Sequence, residues 1–161
     1  MQQFEQIYAE HLGAVRAYVR RRAPEDVVDD LVAETFLVCL RRPDRVPAEP
    51  LPWLYAVARK TIANERRRRE RSVTAARRDL AWDAEPTGDN VLASAFATLS
   101  DRDREILRLV AWEGLSLREA AAVLGCSTVA CRVRFHRART RLAARLESAA
   151  SFRPEPEGVT R

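Results

Sequence analysis

The clearest structural signals in the sequence lie in residues 116–146, SLREAAAVLGCSTVACRVRFHRARTRLAARL. Ser116 and Glu119 have the spacing of a capping box, in which each side chain satisfies a free backbone N–H group at the start of a helix. Gly125 suits the positive φ that ends many helices, and Ser127 can cap the helix that follows. The stretch therefore predicts two helices joined by a tight turn.

Helical spacing gives each of these two helices one buried side. At about 100° per residue, the apolar positions of each helix fall within a single arc. These positions are Leu117, Ala120, Ala121 and Leu124 in the first helix, and Cys131, Phe135, Ala138 and Leu142 in the second.

The other side of the second helix is strongly basic. Between Thr128 and Leu146 the chain has arginines and no acidic residue. A helix that is merely solvated usually mixes both signs of charge for i,i+4 pairing. The pattern is typical of a DNA-binding helix-turn-helix, whose second helix enters the major groove. The alternative is an ordinary helical hairpin with a solvated basic face.

Composition limits the class of protein. The chain has 161 residues and a formal net charge of +5, which favours a polyanionic partner. No apolar run approaches the ~20 residues needed to cross a bilayer, and the N-terminus lacks a signal-peptide core. The three cysteines have no metal-ligand spacing. We therefore predict a cytoplasmic protein with no membrane insertion, metal or other cofactor.

An enzyme is disfavoured by what the chain lacks. His11 and His136 are its only histidines. There is no carboxylate pair in a recognisable catalytic spacing and no Gly-rich phosphate loop. We expect a protein without a catalytic site.

Apolar periodicity predicts three helices in the first part of the chain and four in the last part. The first three span about residues 3–22, 25–41 and 53–69. The segment between the second and third, residues 42–52, contains four prolines and is predicted to be a loop.

The periodic pattern is interrupted between these two sets of helices. Residues 73–91 contain small polar residues, proline and glycine, which are typical of a linker. We predict an all-α fold of two small helical domains, residues 1–72 and 92–147, joined by this flexible linker. The C-terminal domain carries the helix-turn-helix, and residues 148–161 are predicted to be a flexible tail.

The second predicted helix combines apolar and acidic positions. Its apolar faces are assigned to Val27, Leu31, Phe36, Leu37 and Leu40. Its carboxylates at Asp29, Asp30 and Glu34 lie beyond the first turn, where compensation of the helix dipole is weak. These acids either are solvated or dock on a basic partner, and the residues alone leave both open.

The third predicted helix ends in a basic run. Its exposed side carries Arg59, Lys60, Asn64 and Arg66–Arg69. Aromatic residues at its start, Trp53 and Tyr55, together with these cations form a mixture that can bind unpaired bases and phosphates. A solvated basic tail is the alternative.

Two blocks of motifs resemble a known family. Asp30-Leu31-Val32-Ala33-Glu34-Thr35-Phe36, taken with Trp53-Leu54-Tyr55-Ala56-Val57-Ala58-Arg59, resembles the region-2 domain of bacterial extracytoplasmic-function (ECF) sigma factors. Leu99-Ser100, residues 115–125 and Arg134-Phe135-His136-Arg137-Ala138-Arg139 resemble the region-4 domain of the same family. The blocks occur in the family's order and span about residues 4–147. Two substitutions depart from the family pattern: Ala33 replaces a common glutamine, and Lys60 replaces a common asparagine.

The resemblance implies a two-domain sigma subunit of bacterial RNA polymerase that directs promoter-specific initiation. Region 2 would bind the clamp helices of core polymerase and melt the −10 element, and region 4 would read the −35 element and contact the flap. An anti-sigma factor is a possible further partner. The implied docking residues are Asp29, Asp30 and Glu34. The implied −10 residues are Arg59, Lys60, Asn64, Arg66, Arg67 and Arg68. The implied −35 residues are Thr128, Val129, Arg132, Val133, Arg134, His136, Arg137 and Arg139.

Side-chain chemistry divides the −35 set further. Arg132 is the best-placed residue to bridge guanine O6 and N7, and Val129 or Val133 could touch a thymine methyl group. Arg134, Arg137 and Arg139 are assigned to phosphates, which set register. Two rival classes remain: a DNA-binding regulator that does not join polymerase, and a helical adaptor.

Overall fold

The structure is a computed structural model that describes residues 2–73 and 91–151. Its regular elements in these ranges are all helical, which confirms the predicted all-α class. The α-helices are α1 (Gln2–Arg20), α2 (Val28–Arg41), α3 (Pro50–Val73), α4 (Val91–Ala97), α5 (Asp101–Ala111), α6 (Leu117–Leu124) and α7 (Thr128–Ser151). Short 3₁₀ turns at Glu25–Val27 and Pro43–Arg45 flank α2. Most of the predicted linker and tail lies outside the described residues.

The start of α3 corrects the predicted loop at residues 42–52. The helix begins at Pro50 rather than at Trp53, so two prolines lie in its first turn. Proline is tolerated there because the first N–H groups of a helix have no intrahelical partner. The loop is therefore shorter than its proline content suggests.

Helices α1, α2 and α3 pack together as the N-terminal half. Tyr18 is fully buried and its ring stacks on that of Tyr55, with centroids 4.6 Å apart. Burial leaves Tyr55 unable to stack on an unpaired base in this arrangement. Of the apolar positions predicted for the second helix, Leu31 and Phe36 are buried, whereas Leu37 and Leu40 are exposed.

Helices α4 to α7 form the C-terminal half, in which the predicted helix-turn-helix is present. The Ser116–Glu119 capping box is complete: each side chain accepts a hydrogen bond from the other residue's backbone N–H, at 3.2 and 2.8 Å. These hydrogen bonds with Ser116 hold the pKa of Glu119 below its usual value. Gly125 ends α6 with φ of 67°, and the Ser127 hydroxyl accepts a bond from the α7 backbone.

The two halves are in direct contact. α6, the first helix of the helix-turn-helix, packs against α3. Ile62 and Ala63 of α3 and Leu124 of α6 line one cavity between the halves. The basic helix α3 therefore lies beside the helix-turn-helix.

Candidate nucleic-acid interface

Helix α7 presents a clearly divided surface. Cys131 and Ala138 are completely buried on its inner side, as predicted. Val129, by contrast, is 71% exposed, and Arg132 and Val133 are also exposed. Since the inner side packs against α5 and α6, the outer side is available to a groove-sized partner.

The predicted −35 residues share this outer surface with one exception. Exposed side chains are Thr128, Val129, Arg132, Val133, His136, Arg137 and Arg139. Arg134 is half-buried and lines the cavity between the halves. Its guanidinium is therefore less accessible than the sequence suggests.

An ion pair that the sequence did not reveal anchors α7. Arg141 donates to the Asp103 carboxylate, which is buried on α5, at 2.5 Å. Arg141 belongs to the basic run of α7, but this contact ties it to the supporting helix. Arg141 and Asp103 lie 38 positions apart in the sequence, so only the three-dimensional structure distinguishes Arg141 from the other arginines of α7.

The predicted −10 residues lie along the exposed side of α3. Their side chains are Arg59, Lys60, Asn64, Arg66, Arg67 and Arg68. Some of these groups already have local partners: Arg68 forms an ion pair with Glu65 at 3.0 Å, and Arg67 donates a hydrogen bond to the Asn64 side-chain oxygen. A phosphate that binds here must compete with these contacts.

The acidic side of α2 is exposed as well. Asp29 pairs with Arg16 at 2.8 Å, although its side chain remains 76% exposed. Asp30 and Glu34 are exposed on the same helix. The three carboxylates therefore form an accessible anionic surface on the N-terminal half.

A cavity of about 460 Å³ separates parts of the two halves. Its N-terminal wall includes Arg59 and Arg66 of α3, and its C-terminal wall includes Arg102 and Arg134. Arg66 also lies 3.6 Å from Asp101 at the start of α5. Residues assigned to the −10 element and to the −35 helix thus line the same cavity.

A buried ionic cluster joins the halves on one side of this cavity. Arg22, which is 5% exposed, pairs with Glu105 and with Glu113 at 2.8 Å each. Arg21 also pairs with Glu113, and the Tyr18 hydroxyl donates to Glu105 at 3.0 Å. We call these five residues the Arg22 cluster. The Arg22 guanidinium also lies 3.7 Å from the centre of the Tyr18 ring, a cation–π contact.

Burial changes the ionisation of the tyrosines beside this cluster. Burial, and next the Glu105 carboxylate, raise the pKa of Tyr18 well above its usual value. Burial raises the pKa of Tyr55 to about 12. In both cases the neutral phenol is the form that the folded chain stabilises.

We expect stability to decline at high pH because of these two phenols. The pKa values of both phenols in the folded chain exceed the value of about 10 in an unfolded chain. Their contribution to the free energy of unfolding is therefore complete below about pH 10, and it is lost as the pH rises through the folded-state pKa values. The free energy of unfolding should fall from about pH 10, by ~1.4 kcal/mol per pH unit for each group. Urea unfolding at several pH values measures this. An identical alkaline decline in Tyr18→Phe would contradict the role of Tyr18.

No cluster of histidine, cysteine or acidic side chains suited to a metal ion is found among residues 2–73 and 91–151. In the same part of the chain, no helix combines the length and apolar character needed to span a bilayer.

Comparison with known proteins identifies the family. The family model for Sigma-70 region 2 matches residues 7–72, and that for Sigma-70, region 4 matches residues 89–142. The ECF RNA polymerase sigma factor SigF of Caulobacter vibrioides is 41% identical over 145 residues, covering 84% of this chain and 80% of SigF. The RNA polymerase sigma factor CarQ of Myxococcus xanthus is 32% identical, covering 83% of each protein.

Solved structures agree with this similarity. The sigma factor RpoE of Bartonella quintana, in complex with the anti-sigma factor NepR, superposes with a TM-score of 0.71. RpoE is 26% identical, with 91% of this chain and 98% of RpoE covered. CnrH, in complex with the cytosolic domain of CnrY, gives a TM-score of 0.64 at 33% identity, with 92% and 90% covered. The chain therefore belongs to the ECF RNA polymerase sigma factors, which direct promoter-specific initiation of transcription.

Proposed function

We propose that this sigma factor makes its three contacts in initiation through three different helices. α2 docks on core polymerase, α3 captures the −10 element, and α7 reads the −35 element. The two functional units are residues 1–72 and 92–147. The observation that carries the proposal is the basic outer surface of α7, supported by a fully packed inner side.

For the −35 element, exposure and chemistry favour Arg132 as the base-reading residue. Arg132 is exposed in the second turn of α7, between the apolar side chains of Val129 and Val133. An arginine can donate two hydrogen bonds to guanine, and valines can contact a thymine methyl group. Thr128, His136, Arg137 and Arg139 then hold the backbone, which fixes register. Arg134 joins them once its side chain leaves the cavity.

For the −10 element, α3 supplies cations and one amide. Lys60 and Arg59 are exposed on the same helix as Asn64, which we assign to an unpaired base. Arg66, Arg67 and Arg68 are assigned to the phosphates of the opened strands. Strand opening needs no catalytic group in this scheme, because capture of the unstacked base and the exposed backbone is sufficient.

For core polymerase, the carboxylates of α2 are the proposed contact. Asp29, Asp30 and Glu34 are exposed on α2, and Asp29 also pairs with Arg16 of α1. Although the chain has a net charge of +5, these carboxylates form a local anionic surface. Such a surface repels DNA phosphates and is complementary to a basic protein surface. We assign this surface to the clamp helices of core polymerase, and the C-terminal half to the flap. We also propose that the protein is located in the cytoplasm.

An anti-sigma factor is a further proposed partner. RpoE, which covers 91% of this chain at 26% identity, was solved with the anti-sigma factor NepR. This similarity supports a partner of the same class here. A promoter-binding assay with a candidate anti-sigma protein tests it by loss of binding.

Run-off transcription with purified core polymerase on a genomic promoter library tests the proposed function. Initiation at defined start sites, dependent on the added chain, is the expected result. The rival regulator that does not join polymerase would bind DNA but fail to co-purify with core polymerase. That outcome would remove the docking role of α2.

We expect Arg132→Ala to weaken promoter binding selectively. Loss of a bidentate guanine contact lowers the binding free energy by about 1–3 kcal/mol, which reduces affinity roughly 5–150-fold. The loss applies only to DNA that contains the recognised guanine. Arg139→Ala is the matched control: it should weaken binding to all sequences and lower the salt slope by about one. Binding to promoter and random duplexes over a salt series measures both. Equal losses on the two duplexes for Arg132→Ala would remove it from the reading role.

A further inference from the structure

Two of the three cysteines flank the turn of the helix-turn-helix. Cys126 directly follows Gly125, and Cys131 lies near the start of α7. Ser127 caps α7: its hydroxyl accepts a hydrogen bond from the Ala130 N–H at 3.1 Å, and its carbonyl accepts one from the Cys131 N–H at 2.9 Å. Counted from this cap, Cys126 and Cys131 occupy the N′ and N4 positions, whose side chains pack against each other in a hydrophobic staple. The two thiols are therefore neighbours across the turn.

Packing and electrostatics both place these thiols together. The Cys131 side chain is completely buried, and the half-buried Cys126 packs against the core to which Cys131 belongs. Burial raises the pKa of Cys131, Cys126 raises it further through its charge and a side-chain hydrogen bond, and Arg134 lowers it. Both contributions of Cys126 require its sulfur to lie close to that of Cys131.

The two thiols differ in exposure, which assigns them different roles. Cys126 is partly exposed on the turn, so a small oxidant can reach its sulfur. Cys131 is shielded from solvent but adjoins Cys126, which is the arrangement of a resolving thiol. The third cysteine, Cys39, is buried on α2 in the N-terminal half and provides an internal reference.

We propose that Cys126 and Cys131 are a redox-sensitive dithiol, which a peroxide oxidises to an intramolecular disulfide that weakens binding of the −35 element. The effect on DNA rests on the proposed assignment of α7 to that element, whereas formation of the bond does not. Disulfides in a reducing compartment are usually transient and serve redox sensing or catalysis. The pair thus makes the DNA-reading helix responsive to oxidants.

The oxidation proceeds in two steps that balance. The Cys126 thiolate attacks one oxygen of hydrogen peroxide, the O–O bond breaks, and a sulfenic acid forms as hydroxide leaves. The Cys131 sulfur then attacks the Cys126 sulfur, gives up its proton, and displaces the sulfenic oxygen as water. The two sulfur atoms lose two electrons in total, and the peroxide is reduced to two molecules of water. A thiol reductant reverses the bond by exchange and is itself oxidised to a disulfide.

The new bond changes the geometry of the reading helix. Non-bonded heavy atoms pack about 3.5–4 Å apart, whereas the sulfur atoms of a disulfide are about 2 Å apart. The bond therefore draws the turn and the start of α7 towards each other. Arg132, the proposed base-reading residue, directly follows Cys131 in the chain. Because bidentate hydrogen bonds to guanine require a narrow range of distances and angles, this shift weakens the contact.

The test for the bond treats the full chain with hydrogen peroxide and then removes the oxidant. We expect the intact mass to fall by two hydrogen atoms, and peptide mapping without reductant should link Cys126 to Cys131 and leave Cys39 free. Cys39→Ala, the matched control, should form the same bond. A disulfide-linked dimer, or oxygen added to Cys126 without a cross-link, would overturn the proposed dithiol.

The test for the switch measures binding of the same samples to a −35 duplex. Oxidation should lower the affinity of the wild type and of Cys39→Ala about tenfold, comparable with the loss of one base contact, and dithiothreitol should restore it. Cys126→Ser should bind as tightly as the reduced wild type before and after peroxide. A disulfide that leaves the affinity unchanged would overturn the switch.

A second variant separates the two thiols. Cys131→Ala removes the resolving sulfur, so peroxide should leave Cys126 as a sulfenic acid that dimedone labels. Absence of this label would contradict the assignment of Cys126 as the thiol that is attacked first. Cys126→Ser changes only a half-buried side chain, so it tests the switch even if Cys131→Ala does not fold. If run-off transcription fails, the proposed function is wrong, but mass spectrometry still decides whether the two thiols form the bond.

Discussion

Asp30→Arg is expected to abolish binding of this sigma factor to core polymerase. The carboxylate is exposed on α2, and reversal of its charge places a cation against the basic surface that we assign to it. Loss of one close charge pair at an interface costs 2 kcal/mol or more, and reversal adds repulsion, so affinity should fall at least about 100-fold. Titration of labelled core polymerase with the variant measures this.

The matched control is Asp44→Arg. Asp44 is also an exposed aspartate of the N-terminal half, but it lies in the 3₁₀ turn after α2. This variant should bind core polymerase nearly as well as the wild type. Binding of Asp30→Arg to a −35 duplex should be retained, because α7 is unchanged. Retained core affinity in Asp30→Arg would contradict the docking assignment.

Asp30 is a better site for this test than its neighbour. Asp29 already pairs with Arg16 at 2.8 Å, so a change at Asp29 also frees a cation on the N-terminal half. The effect of such a change on core binding would combine two causes. A change at Asp30 therefore tests the charge on α2 more directly.

The parts of this molecule that were predictable from sequence depend on local chemistry. The Ser116–Glu119 box and the positive φ of Gly125 are set by residues within a few positions of one another. Periodicity likewise placed Cys131 and Ala138 on the buried side of α7. Such features need no knowledge of the rest of the fold.

The features that the sequence did not reveal depend on contacts between distant residues. The sequence around Arg22 does not identify its partner Glu105, which lies 83 positions away. Leu37 and Leu40 have apolar spacing but remain exposed, because α1 and α3 cover only part of the surface of α2. The helices that pack against α2 decide which of its apolar positions are buried. The apolar pattern of α2 alone does not show where those helices lie.

Leu109→Ala is expected to lower the free energy of unfolding by about 2–5 kcal/mol. Leu109 is completely buried on α5, the helix that packs beneath α7, and truncation leaves a cavity there. Leu40→Ala makes the same change at a side chain that is 45% exposed and should cost less than ~0.5 kcal/mol. Urea unfolding of the two variants measures the difference. Equal costs would show that Leu109 is not part of a closely packed core.

Hydrogen exchange extends this prediction to the coupling between the halves. If the Arg22 cluster joins them, Leu109→Ala should reduce amide protection in α1–α3 as well as in α4–α7, because opening in one half removes partners from the other. In a Glu113→Gln background the same change should reduce protection in the C-terminal half alone. Unchanged protection of α1–α3 in both backgrounds would mean that the two halves unfold independently and that the cluster contributes little to their association.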